Sequence, residues 1–599
     1  MSRGSRDLEQ VRSELRRLGY LSDRFDRFLL QDAFRPQRSW LGIIELALRV
    51  GALVGCLVAL VAAFALATAN GNLERTPLDL VPLFLHLLVP ATLLSGLAFL
   101  ALCAVLVVVL RIYPVRRIET LSLTAALLLG AGVLGVFLWR MRDLLAGRPT
   151  WWIVLAALAL LPALYAVIKL VSDGLLALAI RLTHRTPSGR FLSRRRATVA
   201  VLVAAFVPVL PALMAVNQRP PEAPPALPAS PGERVVLIGI DGALGEEVDY
   251  LLSRGELPAV AALRRAGAGW FDYQRPDGPP ADFWTRIATG VSSPSHGVTA
   301  LDSFRPLGVA TPLSQSGPLR RFWQGVEVPL GLAEYAPVLS NRRRVFSFWE
   351  LASRGGAPVL AINWWTTFPA EELPGLVVSH GAYQMLAEGV AGVVAPASRR
   401  SEVEAWRGES ADDQTLVPEV PAFQAVADRA LLPDRFYRSA FRQGFTQLQP
   451  RAAAVYLSAL DLAADGWSGG AVAFADLVRD ELAAADRLIG TVMAELDGEP
   501  ATVVWVVDPG RRGGAGRVLV ARSGACRGAR GEVAPEAVAA SLLRALGLPQ
   551  SGELPAPVAG CSWPLPSLEV ASFGPRQPDP TGATDDEEYL ESLRALGYL

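Results

Sequence analysis

Five stretches within the first 216 residues contain no Asp, Glu, Lys or Arg: 50–69, 81–110, 121–139, 151–168 and 198–216. Each is near or above the roughly 20 residues that an α-helix needs to cross a hydrocarbon layer. A chain so punctuated cannot keep its first third in water, and the pattern predicts an N-terminal α-helical transmembrane bundle of about five spans over 41–216. The run 81–110 carries Pro82 and Pro90. It reads as a kinked helix, as a surface segment followed by a helix, or as two crossings, which would make six spans. Arginine sets the orientation. The first 40 residues, the loop with Arg111, Arg116 and Arg117, and the loop with Arg181, Arg185, Arg190 and Arg194 to Arg196 are basic, hence cytoplasmic. The loop with Arg140, Arg142 and Arg148 dissents mildly. Five crossings from an inside N-terminus place residues 217–599 outside, on a multi-pass protein of a bacterial-type inner (cytoplasmic) membrane with its C-terminal part periplasmic or extracellular. The first span acts as the export signal, since no cleavable one precedes it.

The cytoplasmic head, 1–40, contains LEQVRSELRRLGYL, apolar at Leu8, Val11, Leu15 and Leu18, a short amphipathic helix. The tail, 576–599, echoes it in ESLRALGYL, which suggests a docking helix at each end. Two pairs at helical i,i+4 spacing stand out in the bundle. Glu45 and Arg49 pair at the interface ahead of the first span. Lys169 and Asp173, near the inner end of the fourth, either line a polar site or snorkel to the interface. Lys+Arg and Asp+Glu both total 57, and the resulting zero net charge argues against a nucleic-acid partner. Membrane lipids and an envelope protein are the partners this architecture implies.

Residues 217–234 are a proline-rich linker, extended and stiff. From 235 to 575 short apolar strands alternate with helical segments. RVVLIGIDG reads as a strand buried on both faces, ending on Asp241 where a parallel sheet places its ligands. PVLAIN, AAAVYLSALD, TVVWVVD and VLVARS read as further strands, while AVAFADLVRDELAAADRLIGTVMAEL and APEAVAASLLRALG have helical periodicity. The alternation predicts an α/β domain with a mostly parallel sheet between helical layers. Its turn-rich part, about 300–450, is expected to form a cap over the sheet's carboxyl edge. Cys526 and Cys561 pair if this part reaches an oxidising compartment, and are otherwise two buried thiols.

The opening strand, GELPAVAALRRAGAGW and DFWTRIATGVSSPSHGV together resemble the start of the type I phosphodiesterase/nucleotide pyrophosphatase branch of the alkaline-phosphatase superfamily. VFSFWELASRGGAPVLAINWWTTFPAEELPGLVVS, AVYLSALDLAADGW, VVWVVDPG and SLLRALGLP follow in the family's order, over roughly 235–550. The resemblance implies two zinc ions and a Ser or Thr nucleophile at a helix N-terminus, with the metals and helix dipole lowering the nucleophile's pKa. The implied ligands are the Asp after the first strand, an Asp followed four residues later by His, an Asp-His pair and one further His. Here Asp241 matches the first. Asp461 matches the second, with Asp465 in place of its histidine, and Asp508 matches the pair, with Pro509 in place of its histidine. No histidine follows Asp508.

Pro280 stands at the nucleophile position. It suits the first turn of a helix but has no hydroxyl, and Thr285 is the nearest hydroxyl downstream. Of the two histidines after the linker, His296 is expected to make a structural hydrogen bond, and Asp282 to cap the helix or add a carboxylate. Four carboxylates, Asp241, Asp461, Asp465 and Asp508, would repel one another unless a cation sits among them. An all-oxygen set favours Mg, Mn or Ca over a zinc pair. Three functions remain open. One is a phosphodiesterase-like binding or regulatory module that has lost its chemistry. The second is an active hydrolase with a carboxylate-rich metal site, and the third an envelope-lipid phosphoethanolamine or glycerol-phosphate transferase.

Overall fold

The computed structural model describes residues 3–18, 41–69, 79–113, 117–145, 150–183, 227, 232–298, 300, 302–309, 313, 318–411, 427–464, 471–522, 524–566, 568–576, 589, 591, 593 and 594. The fifth apolar run, nearly all of the linker and Asp465 lie outside them. Two compact units divide the chain.

The first unit is helical: α1 (Arg3–Arg17), α2 (Leu41–Ala69), α3 (Leu80–Ile112), α4 (Ile118–Leu145) and α5 (Thr150–Thr183). The run 81–110 lies in one continuous helix with Pro90 inside it, not in two. Three stretches among the described residues are long and apolar enough to span a membrane: Gly42–Leu66, Leu80–Ile112 and Leu160–Thr183. Much of α3 is exposed apolar surface (Val81, Leu85, Val89, Leu93, Leu97), as a lipid-facing helix requires. Its other face packs on α2 through small residues. A Cβ on Gly55 would stand 2.5 Å from the Thr92 backbone, an approach that only glycine permits.

Lys169 and Asp173 lie in mid-helix in α5, buried and paired with each other. Arg49 and Glu45 are also paired. Val11 and Leu15 of α1 are buried in the bundle core. This unit also takes in residues 305–313 and 327–334. There the His86 ring contacts Glu327 Oε1 at 3.1 Å and the Leu307 carbonyl at 3.0 Å.

The second unit is built on a nine-stranded sheet: β1 (Arg234–Asp241), β2 (Gly269–Gln274), β3 (Val359–Ile362), β4 (Gly375–Val378), β5 (Val394–Ala395), β6 (Ala452–Leu457), β7 (Ala501–Asp508), β8 (Ala515–Arg522) and β9 (Arg530–Glu532), in the order β9-β2-β8-β7-β1-β6-β3-β4-β5. The central run β7-β1-β6-β3-β4 is parallel. β8 and β5 flank it antiparallel, and β2 pairs antiparallel with β8. Every residue of β1 and β6 is buried, which is why these segments read as unbroken apolar runs rather than alternating ones. The fold is α/β, with a mostly parallel sheet covered by helices. The stretch expected as a cap supplies β3, β4 and β5 to the sheet itself, because VLAI, GLVV and VA are fully apolar and find parallel or antiparallel partners. Cys526 and Cys561 are disulfide-bonded.

Candidate functional site

Strand register brings the acidic residues together. β1 and β7 are parallel neighbours with Asp241 opposite Asp508, so two carboxylates leave adjacent strand ends side by side. Asp461 lies in the first turn of the helix α6 (Ala459–Ala464), which follows β6. Asp434 holds this helix start, accepting the amides of Ser458 at 3.1 Å and Ala459 at 2.9 Å. Gly510 sits between the groups: a Cβ there would lie 2.2 Å from Asp461 Oδ1 and 2.7 Å from Asp241 Oδ1. Only a residue without a side chain lets the two oxygens approach from either side.

Each carboxylate is already served by the protein. Asp241 Oδ2 accepts from the Trp284 indole at 2.9 Å and the Tyr456 hydroxyl at 2.8 Å. Asp508 accepts from Tyr273 at 2.8 Å, from the Gly510 amide at 3.1 Å and from Arg275. Asp461 accepts the Arg511 amide at 2.8 Å and faces that residue's guanidinium at 3.3 Å. Arg275 is the cation common to the group, ion-paired with Asp508 and 3.7 Å from Asp241 Oδ1. Burial opposes its charge, but the carboxylates of Asp508, Asp241 and Asp461 hold its pKa above the usual arginine value. Burial, followed by repulsion from Asp508, pushes Asp241 up to about 7. Burial and the charge of Asp241 push Asp461 up to about 7, and burial raises Asp508.

Trp284 belongs to the helix Pro280–Thr289. Pro279 caps it and Pro280 opens it, so the first turn survives without a side-chain hydroxyl. The Trp284 ring lies across β1 at Gly239, where a Cβ would stand 2.5 Å from the ring. Thr285 is fully buried with its hydroxyl 3.4 Å from that of Thr366. Asp282 is not a helix cap. Its oxygens accept from Arg286 at 2.9 Å, Ser293 at 2.7 Å and His296 at 3.1 Å. Burial works against its charge, yet the bonds from His296 and Arg286 keep its pKa below the usual range. His296 accepts the Val298 amide on Nδ1, which leaves Nε2–H to donate to Asp282. Burial lowers its pKa, so the ring is neutral and structural.

A two-metal centre does not fit these residues. Asp241 Oδ2, Asp461 Oδ1 and both oxygens of Asp508 are occupied by indole, phenol, amide and guanidinium donors, and Arg275 stands where cationic charge is needed. Among the described residues no three His, Cys, Asp or Glu side chains are arranged to hold a metal ion. Arg275, Arg511, Trp284, Tyr273 and Tyr456 escape a sequence reading. Arg275 follows β2, and only the antiparallel pairing of β2 with β8 and of β8 with β7 carries it to the end of β7.

The parallel central sheet carries acidic residues at its carboxyl edge with a helix opening beside them. Residues 235–508 match the profile of the family described as type I phosphodiesterase / nucleotide pyrophosphatase. Among solved structures the chain is similar to phosphonoacetate hydrolase from Sinorhizobium meliloti 1021 in complex with phosphonoformate, at 14% identity over 48% of this chain and 60% of that one, with a TM-score of 0.28. The phosphonoacetate complex gives 15%, 48%, 60% and 0.27. The chain thus spans less than two thirds of the length of these relatives. No curated protein matches the sequence.

Proposed function

We propose that the protein is a membrane-anchored phosphodiesterase-fold module that has exchanged metal-dependent hydrolysis for binding or regulation at the cell envelope. The observation that carries this is Arg275, a guanidinium among Asp508, Asp241 and Asp461 where family chemistry calls for metal. The missing hydroxyl at Pro280 and the hydrogen-bonded role of His296 support it. The Cys526–Cys561 bond supports export to an oxidising compartment. Arginine-rich loops support a cytoplasmic N-terminus, with lipids and an envelope protein as partners. The full-length protein in detergent, supplied with Zn²⁺ or Mn²⁺, is expected to leave bis-p-nitrophenyl phosphate intact. Hydrolysis that disappears on Asp241→Ala would overturn the proposal.

One observation favours a second reading. Asp241 Oδ1 and Asp461 Oδ2 are buried without hydrogen-bond partners. An active hydrolase would place a hard divalent ion there, with Arg275 moved aside. Metal-dependent turnover, absent in the first reading, separates the two.

A further inference from the structure

The two ends of the chain share a sequence that the site does not use. VRSELRRLGYL (11–21) aligns with YLESLRALGYL (589–599), which puts Val11 over Tyr589 and Leu15 over Leu593. In each copy the aligned pair, four residues apart and hence on one helix face, is buried. Val11 and Leu15 belong to the core of the helical unit, Tyr589 and Leu593 to the core of the sheet domain.

The C-terminal seat has specific chemistry. Tyr589 stacks on Phe368 with ring centroids 4.8 Å apart, and its hydroxyl lies 3.3 Å from Nδ1 of His380. His380 in turn stacks on Trp365 at 3.9 Å. Arg594 extends over the Tyr335 ring at 5.6 Å. Burial lowers the His380 pKa to about 3, so the ring is neutral and Nδ1 can accept from the phenol. Between Arg576 and Tyr589 the sequence is QPDPTGATDDEE, twelve residues without a large apolar side chain. Tyr589 and Leu593 are joined covalently to the seat they occupy, so effective concentration adds to their contacts.

We infer that the slot of Phe368, Trp365, His380 and Tyr335 is a peptide-binding site for a helix of the form Tyr-x-x-x-Leu-Arg, occupied by the chain's own C-terminal segment. The ring stack on Phe368 and the approach of the phenol to His380 select Tyr over the Val of the N-terminal copy, which can make neither contact. The slot shares a wall with the turn 363–369. There Thr366, a β-branched residue, is held at φ +58°, and the Trp364 indole bonds the Trp284 carbonyl at 3.0 Å.

The test uses the full-length protein with a protease site inserted between Arg576 and Tyr589, cut after purification in detergent. The released fragment is expected to stay bound and to exchange with excess labelled peptide 585–599. Peptide 585–599 carrying Tyr589→Phe, which keeps the stack on Phe368, should compete about tenfold less well, and peptide 7–21 less well again. Loss of the fragment on cutting, its retention without exchange, or equal competition by all three peptides would overturn the inference. Intact uncut protein, with its seat filled, should bind little labelled peptide, and binding equal to that of the cut protein would also overturn it.

Discussion

Replacing Arg275 by Met removes the buried cation from the carboxylate cluster while keeping most of the side chain's bulk. Arg275 is 10% exposed in its side chain and Asp508 and Asp241 are 0% exposed, so solvent screens the pair little. Breaking a buried pair by removing one partner costs about 3–5 kcal/mol, a fall in Tm on the order of 10 °C for a domain of this size. The loss depends on pH. Asp241 and Asp461 titrate near 7 in the fold against 3.8 for an ordinary aspartate. Their folded forms therefore hold protons more tightly than the unfolded chain, and the resulting stability is full below about pH 4 and is lost as pH rises through 7. Without Arg275 the carboxylates shift further up, so Arg275→Met should cost most at pH 8 and least at pH 5. Thermal unfolding of full-length protein, followed through tryptophan emission at both pH values, measures this. Millimolar Mn²⁺ should raise the Tm of the variant and leave the parent unchanged. A variant within about 1 kcal/mol of the parent at pH 8, with no pH dependence, would refute the role given to Arg275.

Three further substitutions probe the packing around this cluster and the membrane pair. Trp284→Phe deletes the indole donor to Asp241 and should destabilise by about 1–3 kcal/mol, read as a lower denaturation midpoint. Gly239→Ala drives a methyl into the Trp284 ring, 2.5 Å away, and should cost about 1–3 kcal/mol in the same assay. In the bundle, Lys169→Met removes the ammonium paired with Asp173 and should reduce thermal stability in detergent, whereas Lys169→Met with Asp173→Leu should recover most of it.

The strands that carry Asp241 and Asp508 were legible because a strand buried on both faces leaves an unbroken apolar run ending in a polar residue, and RVVLIGIDG and TVVWVVDPG both have that form. Asp461 was legible as a residue but not in its place, which is one helical turn beyond its strand. Arg275 was hidden for a topological reason. It adjoins Asp508 only because two antiparallel pairings fold β2 back beside β7, and nothing in GWFDYQR announces that register. Trp284 and Tyr456 read as core aromatics, and only geometry shows their polar atoms aimed at one carboxylate. Lys169 and Asp173 were legible as a pair because i,i+4 spacing puts both side chains on one helix face, and α5 pairs them.

Elemental analysis of the full-length protein after equilibration with Zn²⁺ and Mn²⁺ and removal of free ion is the most direct test that arginine has taken the place of metal. The parent should retain no stoichiometric divalent ion, while Arg275→Met should retain some. Two zinc ions held tightly by the parent would contradict the account.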